Sequence, residues 1–62
     1  MIRLGQLLKL AGVIDHGGEA KPYLASEAVT VNGEAEARRG RQLHPGDVIV
    51  TAGRELLLVS RP

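Results

Sequence analysis

The sequence predicts an α+β domain, two N-terminal helices packed on a small antiparallel sheet of three to four strands. Three observations lead there. Apolar residues recur at helical spacing as far as Ala28, the period changes to two from Val29, and Asn32-Gly33 and Pro45-Gly46 punctuate the second half as turn pairs. The 62 residues allow one domain, 1–62, because a smaller unit would not bury enough surface to offset the entropy of ordering it.

Leu4, Leu7, Leu8 and Ala11 stand at i, i+3, i+4 and i+7, one face of a first helix, with Gln6 and Lys9 opposite. Gly12 follows where a left-handed residue commonly ends a helix. A second helix is expected from about Gly18 to Ser26, since Ala20, Tyr23, Leu24 and Ala28 keep the spacing. Pro22 is tolerated only in its first turn, where a backbone N–H has no intrahelical partner, and this sets the start near Gly17 or Gly18. From Val29 the chain alternates, and Asn32-Gly33 marks a tight hairpin. The returning strand, Glu34 to Arg38, places Ala35 and Ala37 on one face, small enough for a helix to pack close, and Glu34, Glu36 and Arg38 on the other. Gly40 bends the chain, and Pro45-Gly46 suits the centre of a type II turn. "VIVTA" and "ELLLVS" read as two further strands joined through Ala52-Gly53-Arg54.

Composition narrows the function. Tyr23 is the single aromatic residue, at an apolar helix position, so the core is aliphatic and a platform for stacking unpaired bases is not expected. Cysteine is absent, which removes disulfides and most zinc sites and fits a cytoplasmic setting. The apolar start is interrupted by Gln6 and Lys9 and is too short to span a bilayer, so no membrane association is expected. His16 and His44 are too few for a metal site. With no P-loop, Ser-His-Asp order or paired carboxylates, neither an enzyme nor a cofactor is expected.

Net charge is only +1, so any case for nucleic acid rests on local clustering. Arg38, Arg39 and Arg41 supply it. Their mutual repulsion is offset if phosphates lie between them, each guanidinium donating two hydrogen bonds; the same charge could equally be a solvated turn guarding an edge strand. Lys9 and Lys21 sit on the polar sides of the two helices, each an ordinary surface lysine by itself. Gly17-Gly18 opens the second helix, either as a plain inter-helix turn or as a place where an anion approaches bare backbone N–H groups, although Glu19 opposes the latter.

These residues together resemble the S4 RNA-binding domain, and in particular the small free-standing bacterial S4-like proteins. The resemblance rests on a Gly-Gly-Glu-Ala-Lys stretch (17–21), a Val-Asn-Gly-Glu hairpin (31–34), an Arg-Arg-Gly-Arg turn (38–41) and a Pro-Gly-Asp turn (45–47), in this order, across Arg3 to Val50. It implies an αL-type domain contacting structured RNA, ribosomal or transfer RNA, through its paired helices and adjoining hairpin. It places Lys9, Lys21, Arg38, Arg39 and Arg41 on or near that surface, and His16, Gly17, Gly18 and Asn32, in the glycine turn and the hairpin beside them, complete the expected RNA-binding set. Two departures stand out. His16-Gly17 replaces a Ser-Arg pair common before the second helix, and Ala28 replaces a glycine common before the first strand, where a positive φ would strain alanine.

The expected function is therefore a non-catalytic module that binds structured RNA by phosphate contacts, acting as a monomer with room for ribosome association. About five neutralised phosphates would make binding steeply salt-dependent. Two alternatives use other features. A protein-interaction adaptor would exploit Leu56, Leu57 and Leu58, which cannot all face inward from one strand. A β-grasp carrier would share "VNGE" and "PGD", but it needs a terminal Gly-Gly where this chain reads Ser60-Arg61-Pro62.

Overall fold

The structure, a computed structural model, describes residues 2–59. Ser60, the expected end of the last strand, and the Ser60-Arg61-Pro62 tail lie outside the described residues. In chain order the elements are β1 (Ile2–Arg3), α1 (Leu4–Leu10), a 3-10 turn (Gly17–Glu19), α2 (Ala20–Ser26), β2 (Val29–Val31), β3 (Glu34–Ala35), β4 (Gln42–Leu43), β5 (Val48–Thr51) and β6 (Arg54–Leu57). This is the expected α+β architecture. A four-stranded antiparallel sheet runs β3-β2-β5-β6, and β1 pairs with β4 beside it.

Leu4 and Leu8 of α1 are completely buried, and Ala20 and Leu24 of α2 meet them from the second helix. Against these lie Val29 and Val31 of β2, Leu43 of β4 and Ile49 of β5, while Ile14 fills the inter-helix connection. The core is aliphatic throughout, as the lack of Phe and Trp requires. Gly12 ends α1 at φ +76°, and α2 begins after the 3-10 turn, so Pro22 falls in its first turn, where the missing N–H costs no helical bond.

Tyr23 ties α2 to the sheet. Its hydroxyl lies 2.7 Å from Thr51 Oγ1. Because the Thr51 hydroxyl donates its one proton to the Ala28 carbonyl at 3.1 Å, the Tyr23 hydroxyl is the donor in that contact. The side chain thus serves the core, in agreement with its sequence position.

The turns carry the strand order. Asn32 (φ +53°) and Gly33 (φ +83°) form a two-residue turn with both residues left-handed, the I′ geometry that matches strand twist. Gly46 at φ +95° and the Asp47 N–H donating to His44 O at 3.0 Å give the type II turn. Thr51 pairs directly with Arg54, so the β5–β6 loop is Ala52-Gly53 and Arg54 belongs to the strand. Ala28 is outside the left-handed region, so the departure from glycine there carries no strain; Ala52, at φ +52°, carries it instead.

The returning strand is shorter than expected. Ladder pairing ends as the Glu36 N–H donates to Val29 O, because the Glu36 carboxylate then accepts the Ala37 and Arg38 N–H groups and turns the chain away from β2. Ala35 and Ala37 are exposed, with no helix packed on them. They face an open cleft whose other wall is Leu24, Glu27 and Ala28. Leu56 and Leu58 pack against the core, whereas Leu57 points outward at 60 % exposure, as strand alternation demands.

Candidate nucleic-acid interface

The arginine turn is docked on the start of α1. The first N–H groups of a helix lack intrahelical partners, and here two of them find carbonyls of the turn: Leu4 N–H donates to Arg41 O at 2.8 Å and Gly5 N–H to Arg39 O at 2.9 Å. Gly5 permits the approach. A Cβ on it would lie 3.3 Å from the Ala20 Cβ and 3.4 Å from both the Cβ and the carbonyl oxygen of Arg39. At the same helix end, Arg3 N–H donates to Gln6 Oε1 at 3.2 Å, fixing the chain's entry.

Between these elements lies a cleft of about 340 Å³. Arg3, Gln6 and Lys9 line it from the α1 side, Gly17 from the 3-10 turn, Ala20 from α2, and Arg39 and Gly40 from the arginine turn. Three cations and no acid contribute to its wall. Among the described residues no acidic side chain lies within ion-pairing distance of Arg3, Lys9 or Arg39. Lys9, Gly17 and Arg39 are thus brought together by the fold. Arg3 joins them, a residue that sequence reasoning passed over because a two-residue strand has no periodicity to flag it.

Other expected positions are placed differently. Lys21, His16 and Gly18 are exposed around the start of α2 but do not line the cleft. Arg38 and Arg41 belong to an ion-pair cluster with Glu36: Arg38 Nε lies 3.1 Å from Oε2 and Arg41 Nη1 2.7 Å from Oε1. The repulsion among the arginines is therefore already relieved inside the protein, and phosphate is not required to relieve it. Strand alternation puts Glu36 on the face of Glu34 and Arg38, opposite the alanines, yet its side chain is only 7 % exposed. The side-chain hydrogen bond from Arg38, then that from Arg41, lowers its pKa from the ordinary 4.5 to about 2, against an opposing effect of burial.

Asn32 is engaged at the other end of the sheet. Its Nδ2 donates to Asp47 Oδ1 at 3.0 Å, and its Oδ1 accepts the Val48 N–H at 2.9 Å. Asp47 Oδ2 accepts the His44 N–H at 2.8 Å. That backbone donor, followed by the Asn32 amide, lowers the Asp47 pKa below its ordinary value.

The S4 domain family pattern matches residues 1–59. The chain belongs to the S4 domain family. It is 55 % identical over 53 residues to the probable ribosome maturation protein RlbA of Bacillus subtilis (strain 168), an alignment covering 86 % of this chain and 75 % of that relative. No solved structure matches the chain. The S4 domain is an RNA-binding family. Among the described residues of this S4 domain no cluster of three metal-ligating side chains occurs and no helix is long and apolar enough to cross a membrane.

Proposed function

We propose that this S4 domain is a non-catalytic module that grips structured RNA, ribosomal or tRNA-like, chiefly by its phosphate backbone. The observation that carries the reading is the cleft that Arg3, Lys9 and Arg39 line together, with no acidic side chain in its wall. Lys21, His16 and Gly18 extend the surface around the start of α2. Tyr23 is occupied with Thr51, which favours backbone and shape recognition over base stacking. The name of the Bacillus subtilis relative, a probable ribosome maturation protein, supports ribosomal RNA as the target and the cytoplasm as the setting.

Equilibrium binding to a mixed-sequence RNA stem-loop across a salt series tests the reading. With Arg3, Lys9, Lys21 and Arg39 on phosphates, log K should fall against log salt with a slope of about −3, so a fourfold rise in salt weakens binding by roughly fifty- to a hundredfold. A flat titration would remove the phosphate mechanism.

A further inference from the structure

Resting on that RNA-binding reading, we infer that Glu36 divides the arginine turn, holding Arg38 and Arg41 to the protein and leaving Arg39 to act with Arg3 and Lys9 on the phosphodiester. The turn's geometry makes the division. Arg41 N–H donates to Arg38 O at 3.2 Å, closing a four-residue turn with Arg38 and Arg41 at its base and Arg39 at its first corner. The two base residues of such a turn lie within about 7 Å of each other. A single carboxylate can therefore reach both.

Glu36 is also saturated. Five N–H groups converge on its two oxygens, from Ala37 N, Arg38 N, Arg38 Nε, Arg38 Nη2 and Arg41 Nη1. A carboxylate offers about four lone-pair positions. No capacity is left for a third guanidinium. Arg38 gives its Nε and Nη2 edge to Glu36, at 3.1 and 3.2 Å, one of the bidentate edges with which a guanidinium grips a phosphate. Arg39 is released from this competition while its backbone is fixed to α1 through Gly5. Glu36 is a positioning residue: it removes two competing cations and fixes the base of the turn that presents the third.

Salt slopes for the stem-loop, measured on wild type, R38A, R39A and E36Q, test the division, with circular dichroism confirming that each variant is folded. R39A should weaken binding about tenfold or more and reduce the slope by about 0.7 to 0.9, one phosphate's worth. R38A should stay within about twofold, with its slope unchanged. E36Q should steepen the slope by releasing Arg38 and Arg41 to the RNA, an effect that loosening of the structure alone would not produce. If E36Q does not fold, the R38A and R39A pair decides. Equal slope losses in those two variants overturn the division while leaving RNA binding standing; a salt-independent wild type overturns both.

Discussion

At the arginine turn Glu36 faces two guanidiniums, whereas at the Pro-Gly turn Asp47 faces a backbone N–H and the Asn32 amide. Each carboxylate organises one bend. Around Glu36 the partners are cations, so one negative charge meets two positive ones and a third arginine is left at the corner. Around Asp47 the partners are the turn itself and the hairpin facing it, with the His44 ring alongside, its Nδ1 3.9 Å from Oδ2, beyond a hydrogen bond. On the proposed reading the first bend presents a group to a ligand, while the second closes the fold. The two can be separated by experiment.

The largest effect expected is at the second bend. N32A removes the amide's bonds to Asp47 and Val48 and leaves a β-carbon at φ +53° without a compensating side chain. It should cost about 2 kcal/mol and lower Tm by roughly 10 °C in thermal denaturation. RNA affinity measured on the folded fraction should stay near wild type, because Asn32 is not part of the cationic cleft. A large affinity loss at unchanged Tm would return Asn32 to the contact surface.

G5A should invert that pattern. Alanine gains up to about 1 kcal/mol over glycine within a helix. Its Cβ meets the Ala20 Cβ and the backbone of Arg39 at 3.3–3.4 Å, where the Arg39 carbonyl is already bonded to Gly5 N–H. The crowding and the gain oppose each other, so Tm should move by only a few degrees. The displaced turn should weaken RNA binding several-fold. Unchanged affinity would mean that the docking of the turn on α1 does not aim Arg39.

Acid separates the bends by chemistry. A carboxylate whose pKa is depressed by folding stabilises the native state fully above its unfolded pKa, and loses that contribution as pH falls towards the folded value. For Glu36 the window runs from about 4.5 down to about 2. Asp47, also lowered, acts in the same direction from its ordinary 3.8. Stability by chemical denaturation should therefore decline as pH falls through this range. E36Q should flatten the part of the decline that belongs to the arginine turn and leave the Asp47 part. An identical acid profile in E36Q would show that Glu36 has no such linkage.

How much of this was legible in the sequence follows from range. The helices, the Asn32-Gly33 hairpin and the Pro45-Gly46 turn are local: spacing or left-handed preference specifies each within a few residues. The pairing of Ile2 with Leu43 is not, because two-residue strands have no period and their partner lies across the whole fold. Glu36 was misjudged for a related reason. Strand alternation grouped it with Glu34 on one face, but ladder pairing gives way there to the carboxylate's own bonds to the backbone, which no alternation rule contains. An acid two to five residues ahead of three arginines was the available signal. The reach of Arg54 is equally non-local, its Nη2 donating to the Ala11 carbonyl at the far end of α1 at 3.1 Å.

The smallest effect compares two hairpin turns with the same backbone and different residues. Asn32-Gly33 and Ala52-Gly53 both have positive φ at both positions. Asparagine tolerates the left-handed region through local hydrogen bonding, while alanine brings a Cβ and no compensation. A52N should therefore stabilise the protein by about 0.5 kcal/mol, raising Tm by roughly 3 °C, with RNA affinity unchanged. The gain measures what asparagine contributes to a turn of this shape by conformation alone. Subtracted from the loss in N32A, it leaves the part that belongs to the contacts with Asp47 and Val48, provided the distant sites act independently. If the two values were equal and opposite, the Asn32–Asp47 contact would contribute nothing beyond turn geometry, and the contrast between the two carboxylate bends would lose its structural half.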